Sequence, residues 1–329
     1  MTSTTQEHRA DAATTAAPRF LPLLAIMATL LLWSSAFVAV RHVGHDVAPG
    51  ALALGRLLVA SVVLAVLVFR RPRRWPKARD WPLLLACGIG WFGIYNLALN
   101  AAERRIDAGT TALVIQVGPL IVALLATVFL GERMTRWLAL GMTVGFAGVV
   151  VIGQGSSSGG SGDLTGVLLA AAAAVTYGIG VLAQKPLLSR LPGLEVTFLA
   201  CLVGTAVCLP WSGELVHAVT SAPAASLGWI VYLGALPTAV AFSTWAFALA
   251  HSDAGKLALT TFLVPFLATG LAWLLLGESP AASAFVGGAL CIVGVLLTRV
   301  QHGPGRRSRE RQPPTPACTP DGGYPLPPQ

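Results

Sequence analysis

The sequence predicts an all-α integral membrane protein with ten transmembrane helices arranged as two inverted five-helix repeats. Three observations carry this fold class. Of the 329 residues, 55% are hydrophobic and only 11% are charged, against about 25% charged in a soluble domain, which excludes an ordinary soluble globular protein. The apolar residues fall in blocks close to the roughly 20 that a helix needs to cross a bilayer core. One long stretch of the chain also recurs at a fixed spacing.

The first five spans are read at 20–40, 49–69, 81–101, 108–129 and 137–152, and the second five at 164–182, 194–211, 226–248, 255–276 and 281–300. Each is bounded by charge, Pro, Gly or Ser. The first follows Arg19 and stops at Arg41; the second opens on Pro49 and stops at Arg70. The third lies between the basic loop ending at Arg79 and the cluster Glu103, Arg104 and Arg105. The fourth begins after Asp107 and ends at Gly131-Glu132, and the fifth follows Arg136. In the second half, Asp163, Lys185, Glu195, Pro210, Asp253, Gly277 and Arg299 mark the corresponding edges. The first block is longer than the apolar core of a signal peptide and is followed by further spans, so it reads as a retained helix.

Basic loops are held on the cytoplasmic side of a membrane. With ten spans both termini share a side, and placing them in the cytoplasm puts 18 of the 22 Lys and Arg residues inside. Only Arg41, Arg104 and Arg105 then fall outside, while Arg56 lies within a span. The formal charge of +8 is thus explained by a lipid bilayer surface and not by nucleic acid. Cys87, Cys201, Cys208, Cys291 and Cys318 contain no C-x-x-C pair, and they read as packing residues, not as a disulfide or metal framework.

The run 118–150 reappears as 264–296, an offset of 146 residues. Pro119 matches Pro265, Gly131-Glu132 matches Gly277-Glu278, Gly141 matches Gly287 and Gly148 matches Gly294. Upstream, Asp107-Ala108-Gly109 matches Asp253-Ala254-Gly255 at the same spacing. Five is odd, so the second copy must enter the membrane from the opposite side. Inverted repeats of this kind are typical of secondary transporters, whose substrate site lies near the midplane between the repeats. The domain reading is an N-terminal cytoplasmic arm at 1–19, a first repeat at 20–152 and a flexible Gly/Ser linker at 153–163. A second repeat follows at 164–300, then a disordered, basic, Pro-rich cytoplasmic tail at 301–329.

These motifs resemble the EamA family of the drug/metabolite transporter superfamily. The resemblance is carried by Leu32-Trp-Ser-Ser-Ala-Phe-Val-Ala-Val-Arg41, Gly55-Arg56, the run from Ala108 through Gly131-Glu132, and the duplicated Pro, Gly-Glu and Gly pattern. It implies a carrier in the cell membrane moving small organic solutes such as amino acids, often outward, by alternating access and with no cofactor. Multidrug or nucleoside carriage, uptake and exchange remain alternatives, and a homodimer is left open. A channel would more naturally carry a ring-like filter. An intramembrane enzyme would need paired carboxylates, a metal cluster or a Ser/His dyad, and none is visible.

Arg56, about 10 Å into the second span at 1.5 Å per residue, is a costly intramembrane charge. Apart from Glu195 at the very edge of the seventh span, no acid lies within a predicted span, so its partners are backbone carbonyls at a helix break, a substrate anion, or the outer interface reached by snorkelling. Pro119 and Pro265 fall near the middle of the fourth and ninth spans. Each frees the carbonyl four residues earlier, at Ile115 and Thr261, and is a candidate hinge. Asn96 and Asn100 share a helix face, flanked by Tyr95. Together with Gln116, Trp245, Thr260 and Thr261 they are candidate substrate contacts, with interhelical hydrogen bonding as the competing account. Trp33 matches Tyr177 in the second half, and both are candidates to stack on a substrate or close a gate; an interfacial anchor is the other reading of Trp33. Glu132 and Glu278 read as caps of their own helix turns.

Other motifs carry no chemistry. Gly88-Ile-Gly-Trp-Phe-Gly93 fits a dinucleotide fingerprint but lies inside an apolar span without the required strand, so it reads as helix packing. Gly155-Ser-Ser-Ser-Gly159 sits in the linker. No metal site is expected, His42 and His45 in one short loop being too few ligands. The 14 acids and six histidines fall in loops, tails or helix ends. Facilitated diffusion or exchange is therefore expected, with weak proton coupling at most, and Glu103 and Glu195 are the nearest exceptions.

Overall fold

The computed structural model of the protein describes residues 20–44, 46–106, 108–156, 163–276 and 282–300. Every regular element among them is helical. In chain order these are α1 (Leu21–Val43), α2 (Pro49–Phe69), α3 (Ala78–Glu103), α4 in two pieces (Ala108–Ile115 and Val117–Phe129) and α5 (Arg136–Ser156). The second half holds α6 (Leu164–Leu187), α7 (Gly193–Ser221), α8 (Ala224–Ala250), α9 (Ala254–Leu259 and Leu263–Leu276) and α10 (Ala282–Thr298). The ten predicted spans are thus ten helical elements, eight of which are long and apolar enough to cross a membrane as they stand.

Several ends differ from the sequence reading, α6 among them, which runs to Leu187 where 182 was expected. α3 extends through Glu103, beyond the predicted end at 101, because no Pro or Gly stops it. α5 runs on to Ser156, into the predicted linker, of which 157–162 lie outside the described residues. α7 does not stop at Trp211: Pro210 sits in a 3-10 turn, Leu209–Trp211, and helix resumes as Ser212–Ser221. Proline lacks an N–H that a first turn does not need, so here it bends the element without ending it. The Trp211 ring then packs over Gly50, where a side chain would collide with it.

Contacts at the helix ends follow the alternation of an odd-numbered repeat. On one face, Asp80 in the first turn of α3 pairs with Arg190 before α7 at 2.8 Å, and Glu195 of α7 accepts from the Arg74 backbone N–H at 2.9 Å. On the other, Arg105 after α3 pairs with Asp163 before α6 at 2.9 Å, while the Ser226 hydroxyl at the start of α8 donates to Asp46 at 2.6 Å. Each links loops that a strict up-and-down course places on the same side.

The irregular segments repeat as well. α3 carries a π-helical stretch at Gly88–Ile94, and α8 carries one at Gly234–Val240, both limits shifted by 146. α4 breaks at Gln116, and α9 passes through a 3-10 turn at Thr260–Phe262, with Phe262 standing 146 residues after Gln116. The duplicated glycines form the seam between α5 and α10. A Cβ on Gly148 would lie 2.5 Å from the Gly287 carbonyl oxygen, and one on Gly294 would lie 2.5 Å from the Gly145 nitrogen. Small residues let the two backbones touch, which is how helices associate where lipid removes the hydrophobic driving force.

Candidate substrate site

The π segments and the two broken helices bring the candidate residues to the centre of the bundle. An aromatic cluster joins α1, α3, α6 and α8. Trp33, the thirteenth residue of the 23 in α1, lies 5.1 Å from Trp245, 5.3 Å from Phe242 and 6.1 Å from Trp91 between ring centroids. Trp91 in turn meets Tyr177 at 5.4 Å and Phe242 at 4.9 Å, and Tyr177 meets Tyr95 at 6.4 Å. Trp91 therefore touches both Trp33 and Tyr177. This mid-span position does not fit an interfacial anchor for Trp33.

The buried indole N–H groups of Trp33 and Trp245 have no hydrogen-bond acceptor. Leaving such a donor unpaired away from water costs about 1–3 kcal/mol, and each instance calls for an explanation. The Tyr177 hydroxyl approaches the Thr261 side chain without closing a hydrogen bond. Gly118, next to Pro119, makes room for this ring: a Cβ there would stand 2.6 Å from Tyr177 Cδ1.

Gln116 and Thr261 meet between the two breaks. Pro119 and Pro265 are each the third residue of the segment that follows the break, Val117–Phe129 and Leu263–Leu276. The helices therefore interrupt just ahead of the prolines, whose missing N–H falls in a first turn. Thr261 has lost its usual partner at residue 265, and its carbonyl accepts instead from Gln116 Nε2 at 2.8 Å. One break is thus tied to the other by a side chain that is 6% exposed.

The other predicted site residues are engaged differently. Asn96 Nδ2 donates to the Phe92 carbonyl at 2.7 Å, back into the π segment of its own helix. Asn100 Nδ2 donates to the Pro49 carbonyl at 3.2 Å, at the start of α2, and its buried Oδ1 lacks a partner. Thr260 and Thr261 donate to the carbonyls of Leu257 and Ala258. Arg56, 5% exposed, donates through Nε to Thr238 Oγ1 at 3.1 Å in the π segment of α8. Tyr95 and the Glu103 carboxylate lie within electrostatic range of its guanidinium. The longer α3 therefore brings an acid that the predicted spans had excluded.

Sequence reasoning missed Trp91 and Phe242, the centre of the cluster. Trp91 lies inside the glycine pattern Gly88 to Gly93, whose packing reading holds: side chains on Gly88 and Gly93 would run into Val203 and Val207 of α7. Glu132 caps not its own turn but the start of α9, accepting from Ala254 N and Gly255 N at 2.5 and 2.9 Å. Glu278 and His45 lie outside the described residues. His42 packs its ring against Trp229 at 5.7 Å.

Ten helices in two repeats, matched helix breaks and a buried aromatic cluster with unpaired donors fit a multi-pass membrane transporter of small solutes. The chain belongs to the EamA-like transporter family, whose model matches residues 20–154 and 164–300. It is 41% identical to a probable terminal-alkyne amino-acid exporter of Streptantibioticus cattleyicolor, over 83% of this chain and 91% of that one. An uncharacterized transporter of Bacillus subtilis, YdfC, is 30% identical over 81% and 87% of the two chains. A probable amino-acid metabolite efflux pump of Escherichia coli is 24% identical over 82% and 91%. A solved crystal structure superposes with a TM-score of 0.70 at 24% identity, covering 86% of this chain and 97% of that one, which bears on the fold alone.

Proposed function

We propose that the protein exports amino acids or closely related small metabolites across the cell membrane by alternating access, with both termini in the cytoplasm. Each five-helix half acts as one repeat. Trp33, Tyr95, Tyr177 and Trp245 line the path with Gln116, Thr260 and Thr261, while Arg56, Asn96 and Asn100 support it from α2 and α3. Pro119 and Pro265 mark the hinges. The observation that carries this reading is the pair of buried, acceptor-free indole N–H groups of Trp33 and Trp245 in a chain 41% identical to a probable amino-acid exporter. A carboxylate or carbonyl oxygen of a bound solute would supply the missing acceptor, and the ring faces would take an ammonium group or an apolar side chain. The cytoplasmic placement of the termini is supported by the distribution of Lys and Arg.

Counterflow in proteoliposomes tests the proposal. Vesicles preloaded with an unlabelled amino acid should accumulate the labelled one in a saturable manner, and cells overproducing the protein should tolerate toxic amino-acid analogues. Counterflow with drugs or nucleosides but with no amino acid in a broad panel would overturn the substrate class. Non-saturating flux would overturn the carrier.

A further inference from the structure

The two halves of the protein do not make the same contacts across the pseudo-twofold axis. The second piece of α4, Val117–Phe129, packs along the first piece of α9, Ala254–Leu259. Exchanging the repeats turns this pair into Leu263–Leu276 against Ala108–Ile115, and no comparable packing joins those two segments among the described residues. One end of the gap between α4 and α9 is therefore closed by direct packing of this pair, and the other is not closed in that way among the described residues. An exact twofold would have shut both or neither.

The shut end is pinned by two charged side chains. Glu132, just past α4, accepts from the first two amides of α9 through separate oxygens, Ala254 N to Oε1 and Gly255 N to Oε2. Helix-start amides have no partner within their own helix, and a carboxylate acceptor makes such bonds stronger than neutral ones. Lys185 Nζ of α6 donates to the Leu249 and Ser252 carbonyls, both at 2.6 Å, where α8 ends. The α8–α9 turn is thus held at its exit by α4 and at its entrance by α6. Gly255 also fits against the backbone of Ala123, where a Cβ would sit 3.2 Å from Cα. Asp253, the remaining charge of the turn, is engaged by Lys256 at 2.8 Å.

We infer that Glu132 and Lys185 are positioning residues of the transport cycle, which keep the mouth at the α8–α9 turn closed in this conformation and must release it for the opposite one. This rests on the alternating-access reading proposed above. Neither residue touches the aromatic cluster, so neither contributes directly to substrate recognition.

Labelling from each side of the membrane tests the inference. In full-length protein with its five cysteines replaced by alanine, Ala258→Cys reports on the first piece of α9, where Ala258 is fully buried. An impermeant maleimide is applied separately to intact cells and to inside-out vesicles. With Glu132 present, labelling from the Glu132 side should be slow. Glu132→Gln should raise it about tenfold or more on that side alone, the population shift expected from losing one charge-assisted hydrogen bond. Lys185→Met should do the same, and Lys185→Arg, which keeps charge and donors, should not. If Glu132→Gln fails to fold, the lysine pair carries the test. Unchanged labelling in folded Glu132→Gln and Lys185→Met, or an equal rise from both sides, would overturn the inference. Labelling needs no substrate, so its result is independent of whether amino acids are carried.

Discussion

Replacing Gln116 by leucine removes the donor that joins the two helix breaks while keeping a similar volume. The Thr261 carbonyl, already deprived of a partner by Pro265, is then buried with nothing to accept from. A buried group left unpaired costs about 1–3 kcal/mol, and hydrogen bonds between membrane helices average about 0.6 and reach about 1.7 kcal/mol. A loss of about 1–1.5 kcal/mol is expected for this bond of 2.8 Å, or a fall of roughly 2–3 °C in melting temperature in detergent for a domain of this size. The diagnostic step is the double mutant. Pro265→Ala restores an N–H that can reach Thr261, so Gln116→Leu should cost much less in that background, with a coupling of at least about 0.5 kcal/mol. Additive effects, within about 0.3 kcal/mol, would refute the claim that the glutamine replaces the bond that proline removed. The same series in counterflow should show transport falling more in Gln116→Leu than stability alone explains, if the tie between the breaks also guides their movement.

Trp245→Phe deletes an unpaired N–H but keeps an aromatic ring, so melting temperature should hold or rise while the KM for an amino acid increases about 2- to 13-fold, the equivalent of one ordinary hydrogen bond; a loss of stability with unchanged KM would show that the indole serves packing only. The Asp163 carboxyl is held below the usual carboxylate range by its hydrogen bond from Arg105, aided by the Thr165 backbone N–H. A depressed pKa contributes stability that is present above the unfolded pKa of about 3.9 and is lost as pH falls through the lower folded value. The melting-temperature gap between the wild type and Arg105→Gln should therefore be open at pH 6 and close below about pH 4, and a gap unchanged down to pH 3 would refute this. With no solute gradient, an imposed pH gradient should not drive accumulation in proteoliposomes. Accumulation that Glu103→Gln abolishes would identify the acid within electrostatic range of Arg56 as a coupling residue. Arg74→Cys in a cysteine-free protein should resist an impermeant reagent applied to intact cells, and ready labelling would invert the proposed orientation.

Much of the architecture was legible in the chain because a bilayer imposes its own length scale: apolar blocks of about 20 residues can only be spans. The match of Pro119 to Pro265 and of Gly148 to Gly294 then fixed a duplication, and an odd number of spans per copy fixed its inversion. The same pattern pointed to Thr261 as a freed carbonyl, although not to the side chain that reaches it. Trp91 was hidden for a physical reason: among apolar residues in an apolar solvent, composition does not tell a lipid-facing ring from one packed inside the bundle.

The sequence by itself therefore determined the class, the number of helices, their alternation and the places where the backbone had to break, since each follows from hydrophobic length, backbone hydrogen bonding and repeat register. Only the tertiary structure decided which partners fill the breaks, that Glu132 reaches across to the amides of Ala254 and Gly255, and that α4 packs on α9 at one end of their gap without the exchanged pair doing so at the other among the described residues. Two sequence halves that share their key Pro, Gly and Glu positions encode two related arrangements. Which of them is occupied at each end is settled by packing between residues more than a hundred positions apart, and local pattern carries no information about that choice.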